Sequence, residues 1–315
     1  MNTTQAGTVE AIGEGAGAGG SGSWVDRRSG LGVDEFVAAY RNPRKPVVLG
    51  DAARAWPLYG RANPDYFRRT YGSHGVRVRG TDYRLAELID LLEASTVEKP
   101  GPYPCKFEIA KTFRELLPEV TPRFGYSLPD RQANPLVPQR LFSGVNNLEI
   151  FFGGPGGEFP YLHYDVMRLH AWITQLHGDK EFTLYAPGQE HLLYINPEMP
   201  WQSSIRDHHH PDYERYPLFR EAKCQKVVVH AGETLFLPCG WWHTARSLNM
   251  TISVAFDSLG PDNWGAFIGD VVEERRRNGK PLKALALGLW LRAVGPLIAL
   301  QERAGANRET AWGAR

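Results

Sequence analysis

From residue 141 to about residue 260 the chain breaks into short apolar runs: LEIFF, AWITQL, EFTLYAP, KVVVHAG, TLFLP and TISVAF, with Gly, Pro or polar residues between them. Runs of this length bounded by turn residues read as strands, and several at close spacing predict a sandwich or barrel. The triplet His163-Tyr164-Asp165 reads as a further strand in this series. Before residue 141 the pattern differs. In VDEFVAAYR, Phe36, Val37 and Tyr40 fall on one helical stripe with Asp34 in the first turn, where it suits the helix dipole. Val47 to Leu49 form a short apolar strand. PDYFRRTYG predicts a helix starting at Pro64 and stopping at Gly72, and GVRVRG an alternating strand. Leu85, Leu88, Ile89 and Leu92 make another helical stripe, and KTFRELLPEV predicts a helix ended by Pro118. After Asp257 the helical period returns: Phe267, Ile268, Val271 and Val272 share one side of a helix, followed by the apolar stretch PLKALALGLWLRAVGPLIAL.

These patterns predict a mainly β protein with four parts. A Gly/Ala/Ser-rich tail over 1–30 has too few large apolar side chains to offset its ordering entropy. An α+β region over 31–140 packs on a β core over 141–260, and helices over 261–315 complete the chain. The last apolar stretch contains Arg292 and Pro296, which interrupt the roughly twenty apolar residues a bilayer span needs. A buried or dimer-forming helix pair, and a homodimer through it, is the expectation.

Composition narrows the function classes. The apolar fraction of 42% supports a full core, and a net charge of +1 gives no electrostatic reason to expect nucleic acid or an anionic membrane as partner. Three unevenly spaced cysteines, Cys105, Cys224 and Cys239, do not make a disulfide framework. With no basic start followed by an apolar run, a cytoplasmic location is expected.

The chemistry concentrates at His163 and Asp165. Two apart on an extended segment, their side chains project from one face while Tyr164 faces away. The best third ligand is His243, directly after a Gly-Trp-Trp turn in GETLFLPCGWWHT. Two histidines and one carboxylate form the facial triad of non-haem Fe(II) oxygenases, with adjacent positions left for cosubstrate and O2. A lone His-x-Asp arises often by chance; its context, a nearby Lys180 and a downstream His243, raises the signal.

HYD, QLHGDKEFTLYAP, PDYERYPLF and AGETLFLPCGWWHTARSLNMTISVAF together resemble the cupin-like JmjC family, over roughly residues 148–259, with a looser match in the N-terminal region. The resemblance implies a double-stranded β-helix (jelly-roll) core binding Fe(II) and the cosubstrate 2-oxoglutarate. It maps the metal ligands onto His163, Asp165 and His243. It also maps the lysine that pairs with the distant carboxylate of 2-oxoglutarate onto Lys180. This chain departs from the pattern at Pro160, where relatives often carry a cosubstrate-binding Thr, and at Ala255, where they often carry Asn. Thr174, Tyr103 and Thr183 are the candidates for a replacement hydroxyl. The expected activity is hydroxylation of a C–H bond of a protein or peptide side chain. The alternatives are the same chemistry on a small metabolite or amino acid, N-demethylation, and a non-catalytic cupin-like binding module.

The remaining conspicuous residues are expected to play structural parts. His208, His209 and His210 are adjacent and cannot all face one centre from an extended segment. His170 and His177 read as hydrogen-bonding neighbours of the site, Trp241 and Trp242 as packing for His243, and Trp172 as core. The long insertion between EFTLYAP and KVVVHAG is rich in Trp, Tyr, Phe and Pro and is expected to be an ordered, packed loop.

Overall fold

The structure is a computed structural model and describes residues 25–143, 148–309 and Trp312. The glycine-rich stretch expected to form a tail lies, up to residue 24, outside the described residues. Its last part differs from that expectation: β1 (Asp26–Arg28) pairs in parallel with β2 (Val47–Leu49).

The first helical stripe forms α1 (Val33–Phe36) and then widens into a π turn over Val37–Arg41, burying Phe36 and Tyr40 and leaving Val37 at the margin. Asn63 caps α2 (Pro64–Tyr71), its side chain accepting from the Tyr66 amide at 2.8 Å. A hairpin of β3 (Gly75–Val78) and β4 (Thr81–Arg84) leads into α3 (Leu85–Glu93), which buries all four residues of its predicted stripe. β5 (Cys105–Glu108) follows. The helix expected in KTFRELLPEV is shorter than predicted. α4 (Ile109–Thr112) ends where Phe113 leaves helical dihedrals, and two 3-10 turns, Arg114–Leu116 and Pro118–Val120, take its place. Pro118 has no N–H for a continuing α-helix and is tolerated because it opens the second of these turns.

Seven further strands form the core: β6 (Leu148–Gly153), β7 (His170–His177), β8 (Lys180–Tyr185), β9 (Cys224–Val229), β10 (Thr234–Leu237), β11 (Trp242–Ser247) and β12 (Thr251–Ser258). A seven-stranded sheet runs β1-β2-β10-β7-β12-β6-β5 and a three-stranded sheet β11-β8-β9. The period-2 alternation assigns the two faces of the larger sheet. Trp172, Phe236, Phe256 and Phe152 face the N-terminal helices and pack on Phe36, Phe67 and Leu88. Ala171, Ile173, Leu235 and Leu237 face the smaller sheet and meet Phe182, Leu184 and Val229. Two facing sheets joined in this way make the jelly-roll core, and the space between them holds the site.

α5 (Trp264–Arg277) and α6 (Pro281–Arg303) pack on each other beside the core. Gly288 and Gly295 of α6 approach α5 so closely that a Cβ would come within 3.0 Å of Val272 Cγ2 and 2.9 Å of Trp264 Nε1. A buried bidentate pair, Arg131 to Glu302 at 2.7 Å through both nitrogens, pins the end of α6. α6 is long and apolar enough to cross a membrane by length and composition, and only a third of its most apolar window is buried. Its outer face exposes Leu282, Leu285, Leu289, Trp290, Leu297 and Leu300.

Candidate active site

The chain ahead of the smaller sheet runs antiparallel beside β11, bridging Glu158 to Arg246 and His163 to His243. His163 and His243 exchange backbone hydrogen bonds of 3.0 and 2.6 Å, which brings their rings to 4.3 Å between centroids. Two positions on, Asp165 Oδ2 lies 4.0 Å from His243 Nε2. The ligating atoms of His163, Asp165 and His243 all fall within 4.8 Å of one another. The triplet is therefore not a regular strand as expected. It is a short extended bridge that ends at Asp165, where a 3-10 turn begins and Met167 and Arg168 take positive φ values of 58° and 53°.

Each ring is oriented from behind. Nδ1 of His163 faces the Tyr161 carbonyl at 3.3 Å, and Nδ1 of His243 faces the Trp241 carbonyl at the same distance. A proton held there leaves each Nε2 lone pair free toward the cavity. Phe159 stacks on the His163 ring at 4.6 Å. Burial, and then the neighbouring His243, holds the His163 imidazole well below its usual range, and burial raises the Asp165 carboxyl. A partly buried carboxyl beside two imidazole nitrogens is a site whose natural compensating charge is a cation. The donor set fits Fe(II).

The supporting contacts come from the helices and from β7. Tyr164 faces away from the cavity, its hydroxyl donating to Asp270 Oδ1 of α5 at 3.2 Å, edge-on to buried Trp242. Asp270 also accepts from the Met167 amide at 2.9 Å, so α5 holds the turn that follows Asp165. His170 bridges two elements: Nδ1 accepts from the Cys239 amide at 3.0 Å while Nε2 meets Asp262 at 2.7 Å. This fixes the turn that delivers His243. Trp241 donates to the Arg44 carbonyl at 2.9 Å, and Trp172 lies in the core on the far face of the sheet, donating to Ser258. His177 is half-buried at the end of β7.

The triad opens into a cavity of about 150 Å3 lined also by Tyr103, Lys106, Glu149, Phe151, Lys180, Ser253 and Asp257, among others. Lys180 is 2% exposed, and its Nζ donates to Ser253 Oγ at 2.7 Å, 5.9 and 5.6 Å from the centroids of Tyr103 and Phe151. Desolvation pushes its ammonium down to about 7, with no carboxylate among the described residues offsetting it. A buried cation without an acidic partner is costly, and an anionic ligand would relieve that cost.

Of the three hydroxyls weighed for the cosubstrate, Tyr103 alone lines this cavity. Thr174 lies on the opposite face of β7, its hydroxyl bonded to that of Thr234 at 2.9 Å, because the strand's alternation turns Ala171 and Ile173 inward instead. Thr183 likewise alternates away from Lys180 and Phe182. Ser253, which is not among the sequence candidates, stands two before Ala255 on the same face of β12. Asp257 continues that row. Burial raises its carboxyl well above the usual range, and the acidic neighbours Asp165 and Glu149 raise it further. Glu149, paired with Lys106 at 3.0 Å, shares a face with Phe151 on β6.

Comparison with known proteins agrees with this architecture. The cupin-like domain family matches residues 82–256. The chain is 28% identical over 249 residues to the lysine-specific demethylase JMJ30 of Arabidopsis thaliana, covering 74% of this chain and 54% of that protein. It is 32% identical over 249 residues to the JmjC domain-containing protein D of Dictyostelium discoideum, covering 70% and 53%. Over 112 residues, 35% of this chain and 26% of the relative, it is 31% identical to the 2-oxoglutarate and iron-dependent oxygenase JMJD4 of Gallus gallus. The chain spans about half the length of the first two of these relatives. With over half of its residues inside the matched region and a jelly-roll that gathers two histidines and a carboxylate, the chain belongs to the cupin-like domain family.

Proposed function

We propose that this chain is an Fe(II)- and 2-oxoglutarate-dependent oxygenase that hydroxylates a C–H bond of a protein or peptide side chain. One observation carries the reading: His163, Asp165 and His243 converge in the same cavity that holds buried Lys180, whose Nζ meets Ser253 and is paired with no carboxylate among the described residues. When bound, Fe(II), 2-oxoglutarate and O2 supply the oxidising chemistry, with succinate and carbon dioxide as co-products. The work of the chain is placement. His163, Asp165 and His243 would hold the metal, beside the cavity they line. Lys180, with Ser253 holding its Nζ and Tyr103 beside it, takes the distant carboxylate of the cosubstrate. Phe151, Phe159 and Phe182 keep water away from the space between, and substrate is held at reacting distance over the metal.

A polypeptide substrate is supported by relatives named as lysine-specific demethylases. The same names favour N-demethylation as the second reading, since hydroxylating an N-methyl carbon releases formaldehyde. We propose a homodimer through the outer leucine face of α6, and a cytoplasmic location on the strength of the free thiols Cys105, Cys224 and Cys239. The test is peptide-stimulated succinate formation from 2-oxoglutarate, with formaldehyde measured in parallel. Stimulation lost on replacing His163, Asp165 or His243 singly by Ala is expected; turnover that survives all three replacements contradicts the proposal.

A further inference from the structure

A second group of two imidazoles and a carboxylate lies on the outside of the smaller sheet. Glu158 and Phe159 alternate along the strip beside β11. Phe159 points inward onto His163, and Glu158 points outward to meet His208 and His209 of the long insertion. His209 Nε2 stands 3.0 Å and His208 Nε2 3.3 Å from the same oxygen, Glu158 Oε1. The ligating atoms of all three residues lie within 4.8 Å of one another. His210 is turned out to solvent beside Asp207, whose carboxylate accepts from the His209 and His210 amides and so sets the turn.

An independent observation separates this group from an ordinary surface ion pair. The His208 side chain is only 6% exposed, and its Nε2 is fully buried without a hydrogen-bond partner, because the approach to Glu158 has the distance but not the geometry of a hydrogen bond. An orphaned, buried imidazole nitrogen costs the fold free energy unless something occupies its lone pair. Ligand atoms around a tetrahedral Zn(II) with bonds near 2.05 Å are spaced by about 3.3 Å. Both contacts to Glu158 Oε1 are close to that spacing.

We propose that Glu158, His208 and His209 bind a divalent transition metal, Zn(II) by their nitrogen and oxygen donors, at a site separate from His163, Asp165 and His243. Glu158, with 26% of its side chain exposed, leaves room for water to complete the coordination. The ion would tie the insertion over residues 186–223 to the strip that carries the inner ligands. The two are already joined by the Tyr164 amide donating to the Trp201 carbonyl at 3.1 Å and the Ser203 amide to the Leu162 carbonyl at 2.8 Å. The proposal stands on these residues and does not depend on the oxygenase reading.

The test is equilibrium dialysis of the chelator-stripped full chain against Zn(II), with metal counted per chain. In a His243→Ala variant, which disables the inner site, one tightly held Zn(II) is expected. Adding His208→Asn should remove it, and adding Glu158→Gln instead should weaken it at least tenfold. Limited proteolysis gives a second readout, with Zn(II) slowing cleavage within residues 186–223 of the His243→Ala protein. Where His208→Asn fails to fold by circular dichroism, the Glu158→Gln variant and the proteolysis decide. No bound Zn(II) in His243→Ala, an ion that persists in both double variants, or cleavage indifferent to Zn(II) would overturn the assignment.

Discussion

Two clusters of the same composition, a pair of histidines with one carboxylate, lie on opposite faces of one strip of chain, and they are built differently. In the inner cluster the two histidines sit on paired backbone and lock each other's position through hydrogen bonds of 3.0 and 2.6 Å. Each ring is backed by a carbonyl, and α5 and His170 brace the turns on either side. In the outer cluster two consecutive histidines of an insertion reach a single carboxylate, on a turn set by Asp207 and not on paired backbone. The inner cluster alone shares its cavity with a buried cation. The same donor types thus stand in a braced, enclosed pocket in one place and on the turn of an insertion in the other. What differs is the pre-organised surroundings.

The sharpest way to break this contrast is to remove the inner carboxylate. Asp165→Ala should lower 2-oxoglutarate turnover by roughly a hundredfold or more, measured as succinate released. Next in size is Lys180→Met, which keeps the volume and deletes the cation. The KM for 2-oxoglutarate should rise about 10- to 100-fold, the equivalent of a charge-assisted hydrogen bond worth about 1.5–3 kcal/mol.

Lys180 also gives the inner site a pH dependence. Its folded-state value of about 7 lies below the ordinary lysine value near 10.5. Between those limits the unfolded chain holds the proton and the folded chain does not, so stability should rise with pH across that window. The penalty is complete below pH 7 and gone above about 10.5. Chemical denaturation of the ligand-free protein at pH 7 and pH 9 checks this, and the Lys180→Met protein should lose that part of the slope. Because a bound carboxylate restores the ammonium, 2-oxoglutarate binding at pH 8 should take up about one proton per site, read from the buffer dependence of the binding enthalpy. A smaller effect is expected at the bracing residues. Asp270→Ala frees the Met167 amide and the Tyr164 hydroxyl, and should weaken metal affinity about tenfold.

Much of this was legible in the residues. His163, Asp165 and His243 could be proposed because alternation in an extended segment is enough to converge two side chains, even though the segment proved to be a bridge and not a strand. Leu85, Leu88, Ile89 and Leu92 were readable because apolar residues at that spacing share a face on a helix and scatter over both faces of a strand. Thr174 is a candidate by its hydroxyl but not by its parity on β7: Ala171 and Ile173 face inward, so Thr174 cannot. The same parity would have found Ser253 from Ala255. The meeting of Glu158 with His208 and His209 could not be read, since it joins residues fifty apart through the path of an insertion that has no period. The helix expected in KTFRELLPEV failed at Phe113 and Pro118, where local turns replace it.

The central claim is that metal and 2-oxoglutarate meet between the triad and Lys180. The most direct test is calorimetric titration of 2-oxoglutarate into protein loaded with Mn(II), a stand-in for Fe(II) that does not turn over in air. One equivalent should bind only when metal is present, fail to bind in Asp165→Ala, and bind 10- to 100-fold more weakly in Lys180→Met. Binding that needs no metal, or that is equally tight in both variants, would contradict the account.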